Sequence, residues 1–316
     1  MLDMPQVNMG AGRLGTTLGD AIADATAKLS AAGVDAPKLV AQVLMAHTLG
    51  VPRANVVMSP SAQPLQPHQL DSYRAYVARC VAGEPMAYVI GSTEFYALEF
   101  AMDRRALIPR PETEHLVEIA LTRLKASPAS SALRQAANLK APIVDVGTGS
   151  GCIAISLAVK LPEARFIATD ISSDALALAA ENAKRHKVNS RIQFLHGDLL
   201  APVPARAEGV IANLPYVTTA EWERLPRNIR DYEPRAALDG GPDGLACIRR
   251  LLSQASQRVK ANGWLLLEIG ATQGQAVADL ARQKFPLAAI NLHRDYAGLT
   301  RVAEIQLRSV PGVKLK

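Results

Sequence analysis

Apolar residues recur at three- and four-residue spacing between about 14 and 82, through Leu39, Val40, Val43 and Leu44 and again through Leu70, Tyr73, Tyr76 and Val77. That period puts them on one face of a helix, and the proline- and serine-rich stretch 59–67 interrupts the run, so a small helical domain is expected. Around 88–91 and 94–101 the chain turns β-rich and glycine-punctuated, which predicts a hairpin or connector. Pro111 then sits where a proline opens a helix, with Glu112 and Glu114 in the first turn, where the helix dipole favours carboxylates. An alanine- and serine-rich surface connection is expected at 126–141. From 142 onward short β-type runs alternate with helical ones. Strands are expected at 143–146, 165–169, 192–195, 209–212 and 264–269, and helices from 151, from 173, at 245–260 and at 273–283. Two closing strands near 289–293 and 301–307 are joined closely enough for an antiparallel hairpin. Such alternation predicts a doubly wound, mainly parallel sheet covered by helices on both faces.

With 316 residues, 49% hydrophobic and 20% charged, the chain has an ordinary globular composition and the length of two domains. No apolar run approaches membrane-spanning length, and the first residues lack the basic-then-apolar layout of a signal peptide. A cytoplasmic location with no membrane partner is expected. Cys80, Cys152 and Cys247 are odd in number and widely spaced, and the six histidines form no cluster with metal-ligand spacing, so neither a disulfide framework nor a metal site is indicated. The net charge of +6 suits an acidic or nucleic-acid-rich neighbourhood, although Lys184 to Lys187 and Arg249-Arg250 read equally well as solvated helix faces.

Two stretches carry chemistry. The first, Asp145-Val146-Gly147-Thr148-Gly149-Ser150-Gly151, follows the first strand of the alternating region. In a doubly wound sheet, ligands bind beyond the carboxyl ends of the strands. Glycines there let a ligand approach the backbone, and the next helix offers free N–H groups. The spacing is G-x-G-x-G; a dinucleotide fingerprint wants its third glycine at 152, which is Cys152, so S-adenosylmethionine is favoured over NAD. Gly147, Thr148, Gly149 and Gly151 are therefore candidate cofactor residues. Asp170, ending the next strand, is placed to accept from ribose hydroxyls. Asp198, after the third, is placed to accept from an adenine amino group or to cap a turn. Asp145 either meets the cofactor's ammonium or hydrogen-bonds loop amides.

The second stretch is Ile211-Ala212-Asn213-Leu214-Pro215-Tyr216. An Asn side chain and the Leu214 carbonyl give two acceptors for an N–H₂ group. Pro215 holds Leu214 extended, and Tyr216 supplies an aromatic face. A plain strand-end turn built on Asn and Pro is the alternative. The combination resembles the Asn/Asp/Ser-Pro-Pro-aromatic motif of amino and amide methyltransferases, with Leu214 in place of the first Pro, and makes Asn213, Leu214, Pro215 and Tyr216 the candidate catalytic residues. Asn213 also borders the cofactor loop.

Further runs are more specific. Pro85 to Gly91, Glu94-Phe95-Tyr96, Leu107 to Glu114 (Leu-Ile-Pro-Arg-Pro-Glu-Thr-Glu), Asp231 to Pro234, Ala237 to Leu245 and Leu267-Glu268-Ile269-Gly270 closely resemble those of bacterial release-factor glutamine methyltransferases, the HemK/PrmC group. The resemblance implies a helical substrate-recognition domain over 13–86, a β-hairpin connector over 87–108 and a Rossmann-like class I methyltransferase domain over 109–309. It also implies methyl transfer from S-adenosylmethionine to the glutamine of the Gly-Gly-Gln motif in peptide-chain release factors, with no stable nucleic-acid partner. It puts the substrate amide on Asn213 and the Leu214 carbonyl, substrate packing on Tyr216, and the cofactor on the 147–151 loop and Asp170. Asn-Leu-Pro-Tyr is also similar to the motif of ribosomal RNA adenine dimethyltransferases, so adenine is a rival acceptor, and a glutamine of a large-subunit ribosomal protein is another. A non-catalytic cofactor-binding module is disfavoured by the retained Asn213 and the complete glycine loop.

Overall fold

The computed structural model describes residues 16–126 and 142–308. The connection expected at 126–141 therefore lies, from 127 onward, outside the described residues, as do the first fifteen residues and the end of the chain past 308. The chain divides into two compact units, Met1–Ile90 and Gly91–Lys316.

The first unit is helical: Leu18–Ala31, Pro37–Leu49, Arg53–Met58, Pro67–Val81 and Met86–Ile90. Helix starts are marked chemically. Thr17 accepts from the Asp20 amide, Gln66 and Gln69 form a reciprocal capping box, and prolines open the second and fourth helices. The apolar faces close on Leu18, Leu29, Leu44, Met45, Tyr73 and Val77. The buried Tyr73 hydroxyl donates to the Ala41 carbonyl at 3.1 Å. One local expectation is corrected. The β-branched stretch around Tyr88-Val89-Ile90 is a short helix, because the amides of Tyr88 and Val89 turn back to the Pro85 carbonyl and Arg79 donates to the Tyr88 and Val89 carbonyls at its end. Packing of Val89 and Tyr88 overrides their strand preference.

The second unit opens with the hairpin β1 (Ser92–Phe95) and β2 (Leu98–Ala101). Its turn holds Tyr96 and Ala97 at φ of 53° and 57°, the left-handed values that a two-residue hairpin loop demands. The Tyr96 amide is held by the Glu114 carboxylate at 2.8 Å, from the helix Pro111–Ala126. The remaining strands are β3 (Ile143–Val146), β4 (Phe166–Asp170), β5 (Ile192–His196), β6 (Ala207–Asn213), β7 (Val259–Glu268), β8 (Ala289–Arg294) and β9 (Thr300–Gln306). Among the described residues they form one sheet in the order β5-β4-β3-β6-β7-β9-β8, parallel from β5 to β7 and antiparallel on both sides of β9. The doubly wound, mainly parallel architecture with an antiparallel closing strand is thus as expected. β7 starts earlier than its hydrophobic pattern suggests, because Val259 pairs with Ala207 across a bulge.

Alternate residues of each central strand feed opposite cores. Ile143, Phe166, Ile211 and Leu266 pack toward the helices Pro111–Ala126 and Cys152–Lys160, whereas Val144, Ile167, Val210 and Leu265 pack toward Ala246–Arg258 and Gly274–Lys284. Strand order departs in opposite directions from β3 to β4 and from β3 to β6, so the carboxyl ends of β3 and β6 lie side by side at the switch point, where such sheets bind ligands.

Candidate active site

The loop after β3 is held from beneath. The amides of Gly147 and Thr148 both donate to the Thr169 carbonyl, at 2.8 and 3.0 Å. One oxygen of Asp145 accepts from the Thr148 hydroxyl at 2.7 Å and from the Ala154 amide in the first turn of Cys152–Lys160 at 3.2 Å. Its other oxygen is buried without a partner. Burial pushes the Asp145 carboxyl up to about 7, with the nearby Asp170 acting in the same direction against the lowering by those two hydrogen bonds. Asp145 thus ties loop to helix, and the side chain of Thr148 is turned down onto it. Asp170 accepts from the Gly149 amide on one oxygen and the Ser172 amide on the other, both at 2.9 Å, so it spans the loops after β3 and β4. Asp198 is ion-paired with Arg250 at 2.5 Å and accepts from Gln254 at 3.2 Å.

Across the β3–β6 register Val146 faces Ala212, which brings Asn213 beside the glycine loop. The adjoining Leu214 is buried, and a Cβ placed on Gly147, whose φ is +72°, would come within 3.1 Å of its Cδ2. The Leu214 side chain therefore fills the space over Gly147. Beyond Pro215, the Tyr216 carbonyl accepts from Gln273 at 2.9 Å. Val217 exchanges backbone hydrogen bonds with Leu238 and Gly240, which clamp the strand exit. Gly244 completes the clamp, since any Cβ there would meet the Tyr216 carbonyl at 2.3 Å. These contacts explain the Ala237 to Leu245 run.

Four residues missed as site components sit among the motif residues. Asn213 Nδ2 donates to the hydroxyl of the buried Thr113 at 3.1 Å. Glu268 ends β7 directly beside Asn213 in the parallel register. Glu268 is only 1% exposed; one oxygen lies 3.4 Å from the Tyr216 hydroxyl and the other has no partner. Burial raises its carboxyl to about 7 against the lowering influence of the nearby Thr113, Arg301 and Tyr216, while the Tyr216 phenol is pushed up to about 12, chiefly by its own burial. Glu233, also buried, accepts from the Ile108 amide at 3.1 Å and from Arg110 at 2.6 Å. The usable signal was a lone carboxylate inside the apolar run Leu265-Leu266-Leu267-Glu268-Ile269, since such residues are rarely buried without a partner or a task. A cavity of about 720 Å³ elsewhere, bounded by His115, Arg123, Trp264, His293 and Glu304 among others, includes none of these motif residues.

Comparison with known proteins follows the same division. The PrmC N-terminal domain model matches residues 20–91, and the methyltransferase small domain model matches residues 127–226. The release factor glutamine methyltransferase of Moorella thermoacetica is 41% identical over 286 residues, covering 90% of this chain and 96% of that protein. Its namesake from Nitratidesulfovibrio vulgaris is 37% identical over 288 residues, covering 90% and 93%. The chain belongs to the release factor glutamine methyltransferase family. Among solved structures, the hMettl16 catalytic domain in complex with the MAT2A 3'UTR hairpin 6 aligns with a TM-score of 0.50 at 15% identity, over 77% of this chain and 84% of that one, a likeness of fold.

Methyltransferases of this family use S-adenosylmethionine, and the residues present suit it. Space is open above Gly149, where an added Cβ would have only the Ala106 methyl, 4.0 Å away. A carboxylate oxygen of Asp145 lies buried without a donor beside the loop, and Asp170 stands at the rim with an N–H on each oxygen and lone pairs to spare.

Proposed function

We propose that this methyltransferase modifies the side-chain amide nitrogen of a glutamine in peptide-chain release factors, the one in their Gly-Gly-Gln motif. The observation that carries the reading is Asn213, anchored by Thr113 at the exit of β6 beside the glycine loop, in a chain about two-fifths identical to a release factor glutamine methyltransferase. In this reading Asn213 Oδ1 and the Leu214 carbonyl accept the two N–H bonds of the substrate amide. Pro215 keeps that carbonyl extended, and Tyr216 packs against the glutamine. The loop Gly147 to Gly151 and Asp145, Asp170 and Asp198 hold the cofactor.

S-adenosylmethionine supplies a methyl group on a sulfonium, which leaves as a neutral thioether. An amide nitrogen is a poor nucleophile because its lone pair is delocalised. Two fixed acceptors hold it in line and draw electron density toward nitrogen, and positioning of this kind is worth on the order of 7–11 kcal/mol without a strong base. The nitrogen forms its bond to the methyl as the carbon–sulfur bond breaks, and it gives up one proton to water, which leaves thioether and N-methyl amide both neutral.

No helix among the described residues is long and apolar enough to cross a membrane. We place the enzyme in the cytoplasm with its release-factor substrate. The test is methyl incorporation from labelled cofactor into purified release factor, large-subunit ribosomal protein and ribosomal RNA side by side. Label in release factor, lost when its glutamine is replaced, is the expected result; label confined to either ribosomal substrate would overturn the assignment.

A further inference from the structure

The helix Ser173–Arg185 carries Asn182 at 0% exposure, and its side-chain amide is committed at both ends. Oδ1 accepts from the Ala101 amide at 2.7 Å, while Nδ2 donates to the Ala101 carbonyl at 3.1 Å and to the Ser150 carbonyl at 3.0 Å. A backbone N–H only donates and a carbonyl only accepts, so the side chain can sit one way round only. Toward Ala101, the last residue of β2, it makes the pair of bonds that a neighbouring strand would make. Toward Ser150 it holds the glycine loop. The Gly147, Thr148 and Gly149 amides are held from the β4 side, by the Thr169 carbonyl and the Asp170 carboxylate, so Asn182 supplies the hold from the helix side.

The chain on either side of Ala101 is fastened to the same helix or its end. Arg105 bridges Asp103 and Glu181, with Nε donating at 2.9 Å and Nη1 at 2.8 Å, and His186 Nε2 lies 2.8 Å from the Glu99 carbonyl. Ala106, next along the chain, is the residue whose methyl lies 4.0 Å from an added Cβ on Gly149. Of these contacts with the helix, Asn182 makes the one that also reaches the loop.

We propose that Asn182 is a positioning residue for the cofactor: its amide locks the Ser150 carbonyl of the glycine loop to the end of the β1–β2 hairpin, so that cofactor binding and the seating of the hairpin are energetically linked. The proposal rests on the reading of residues 147–151 as the cofactor site. Linkage is reciprocal, so a cofactor that settles the loop also tightens Ala101, and a loosened hairpin weakens the cofactor. A purely structural asparagine would support stability and leave the cofactor affinity of the folded protein unchanged when it is replaced.

The experiment combines S-adenosylmethionine affinity by calorimetry on wild type, Asn182→Ala and Asp170→Ala with amide hydrogen exchange in the presence and absence of the cofactor. Calorimetry is run well below each unfolding temperature, with folding checked by circular dichroism. Asn182→Ala leaves three backbone groups without their partner, and its Kd should rise about 5–50-fold. KM for the cofactor should rise with it, while kcat at saturating cofactor stays within about threefold of wild type, as for loss of binding shared by ground and transition states. In the wild type, cofactor should slow exchange of the Ala101 amide several-fold more than exchange of the β8 amides at the far edge of the sheet, a readout that needs no variant to fold. That extra protection should vanish in Asn182→Ala at saturating cofactor. Wild-type Kd in folded Asn182→Ala, or no extra protection of Ala101 in the wild type, would each overturn the proposal. If Asp170→Ala also binds with wild-type affinity, it is the reading of the loop as the cofactor site that fails; if Asp170→Ala is weakened and Asn182→Ala is not, only the link through Asn182 fails.

Discussion

At the scale of single residues, Asn213 is a hydrogen-bonding group held by one neighbour and bordered by the glycine loop. Under the proposed function, replacing it with Ala removes one of two acceptors for the substrate amide and touches no group that holds the loop. Turnover should fall by about 10²–10³, in line with losses of single electrostatic contacts in other active sites, with cofactor affinity unchanged by calorimetry. Asp170→Ala should behave in the opposite way. It orphans the Gly149 and Ser172 amides as well as any ribose hydroxyl, so cofactor binding should weaken by about 1–3 kcal/mol. Wild-type affinity in that variant would remove Asp170 from the cofactor site. The part Asp170 plays in joining the loops after β3 and β4 was not legible in sequence, because a strand-end carboxylate suggests a ligand and not the turn it closes. Leu214 is a different case. Its carbonyl matters under the proposed function whatever its side chain, yet that side chain fills space over Gly147. Leu214→Pro should keep activity on release factor, with a modest loss in thermal stability from the missing apolar contact; an inactive but folded variant would mean the leucine itself is required.

At the scale of elements, the alternation of β and helical periods was enough to order the strands and helices, because the central strands β3, β4 and β6 are buried along nearly their whole length and read as short apolar runs between the helical ones. The pattern does not say which strands are neighbours, and so it could not place Glu268 beside Asn213 or put β9 between β7 and β8. Nor could it separate the short helix Met86–Ile90 from a strand, since its residues are β-branched and aromatic and its helicity is imposed by Pro85 and Arg79. The Arg110 to Glu114 run read as a family signature without a mechanism. In the fold it joins three elements: Arg110 pairs with Glu233, Thr113 with Asn213, and Glu114 with the β1–β2 turn. Removing Arg110 leaves the Glu233 carboxylate buried with only a backbone amide, the costly way to break a buried pair. Arg110→Ala should destabilise the second unit by about 3 kcal/mol in urea unfolding, toward the low end for buried pairs because the arginine is itself partly exposed. Glu233→Gln, which keeps an acceptor for Ile108, should cost less. Equal stability of Arg110→Ala and wild type would mean the pair is not what holds this junction.

At the scale of the whole molecule, the two units have separate cores, and the second contains the glycine loop and Asn213 together. Its buried carboxyls make its stability depend on pH in a definite direction. Asp145 and Glu268 are both raised, from ordinary values of 3.8 and 4.5 to about 7. Between those limits the folded protein holds protons that the unfolded chain has released, so stability falls as pH rises. The contribution is fully present below about 4 and is lost as pH passes through 7. Each group is expected to account for on the order of 1–3 kcal/mol over that interval, given 1.36 kcal/mol per pKa unit in full and less after relaxation. Carboxylates shifted the other way, such as Asp103 beside Arg105 and Asp239 beside Arg235, act only below the ordinary carboxylate range and do not mask the slope. Thermal unfolding followed from pH 5 to pH 8 should show wild-type Tm declining, with a shallower decline in Glu268→Gln and in Asp145→Asn. A wild-type Tm that rises across this interval, or a slope unchanged in both variants, would show that neither carboxyl is protonated in the folded state near neutrality.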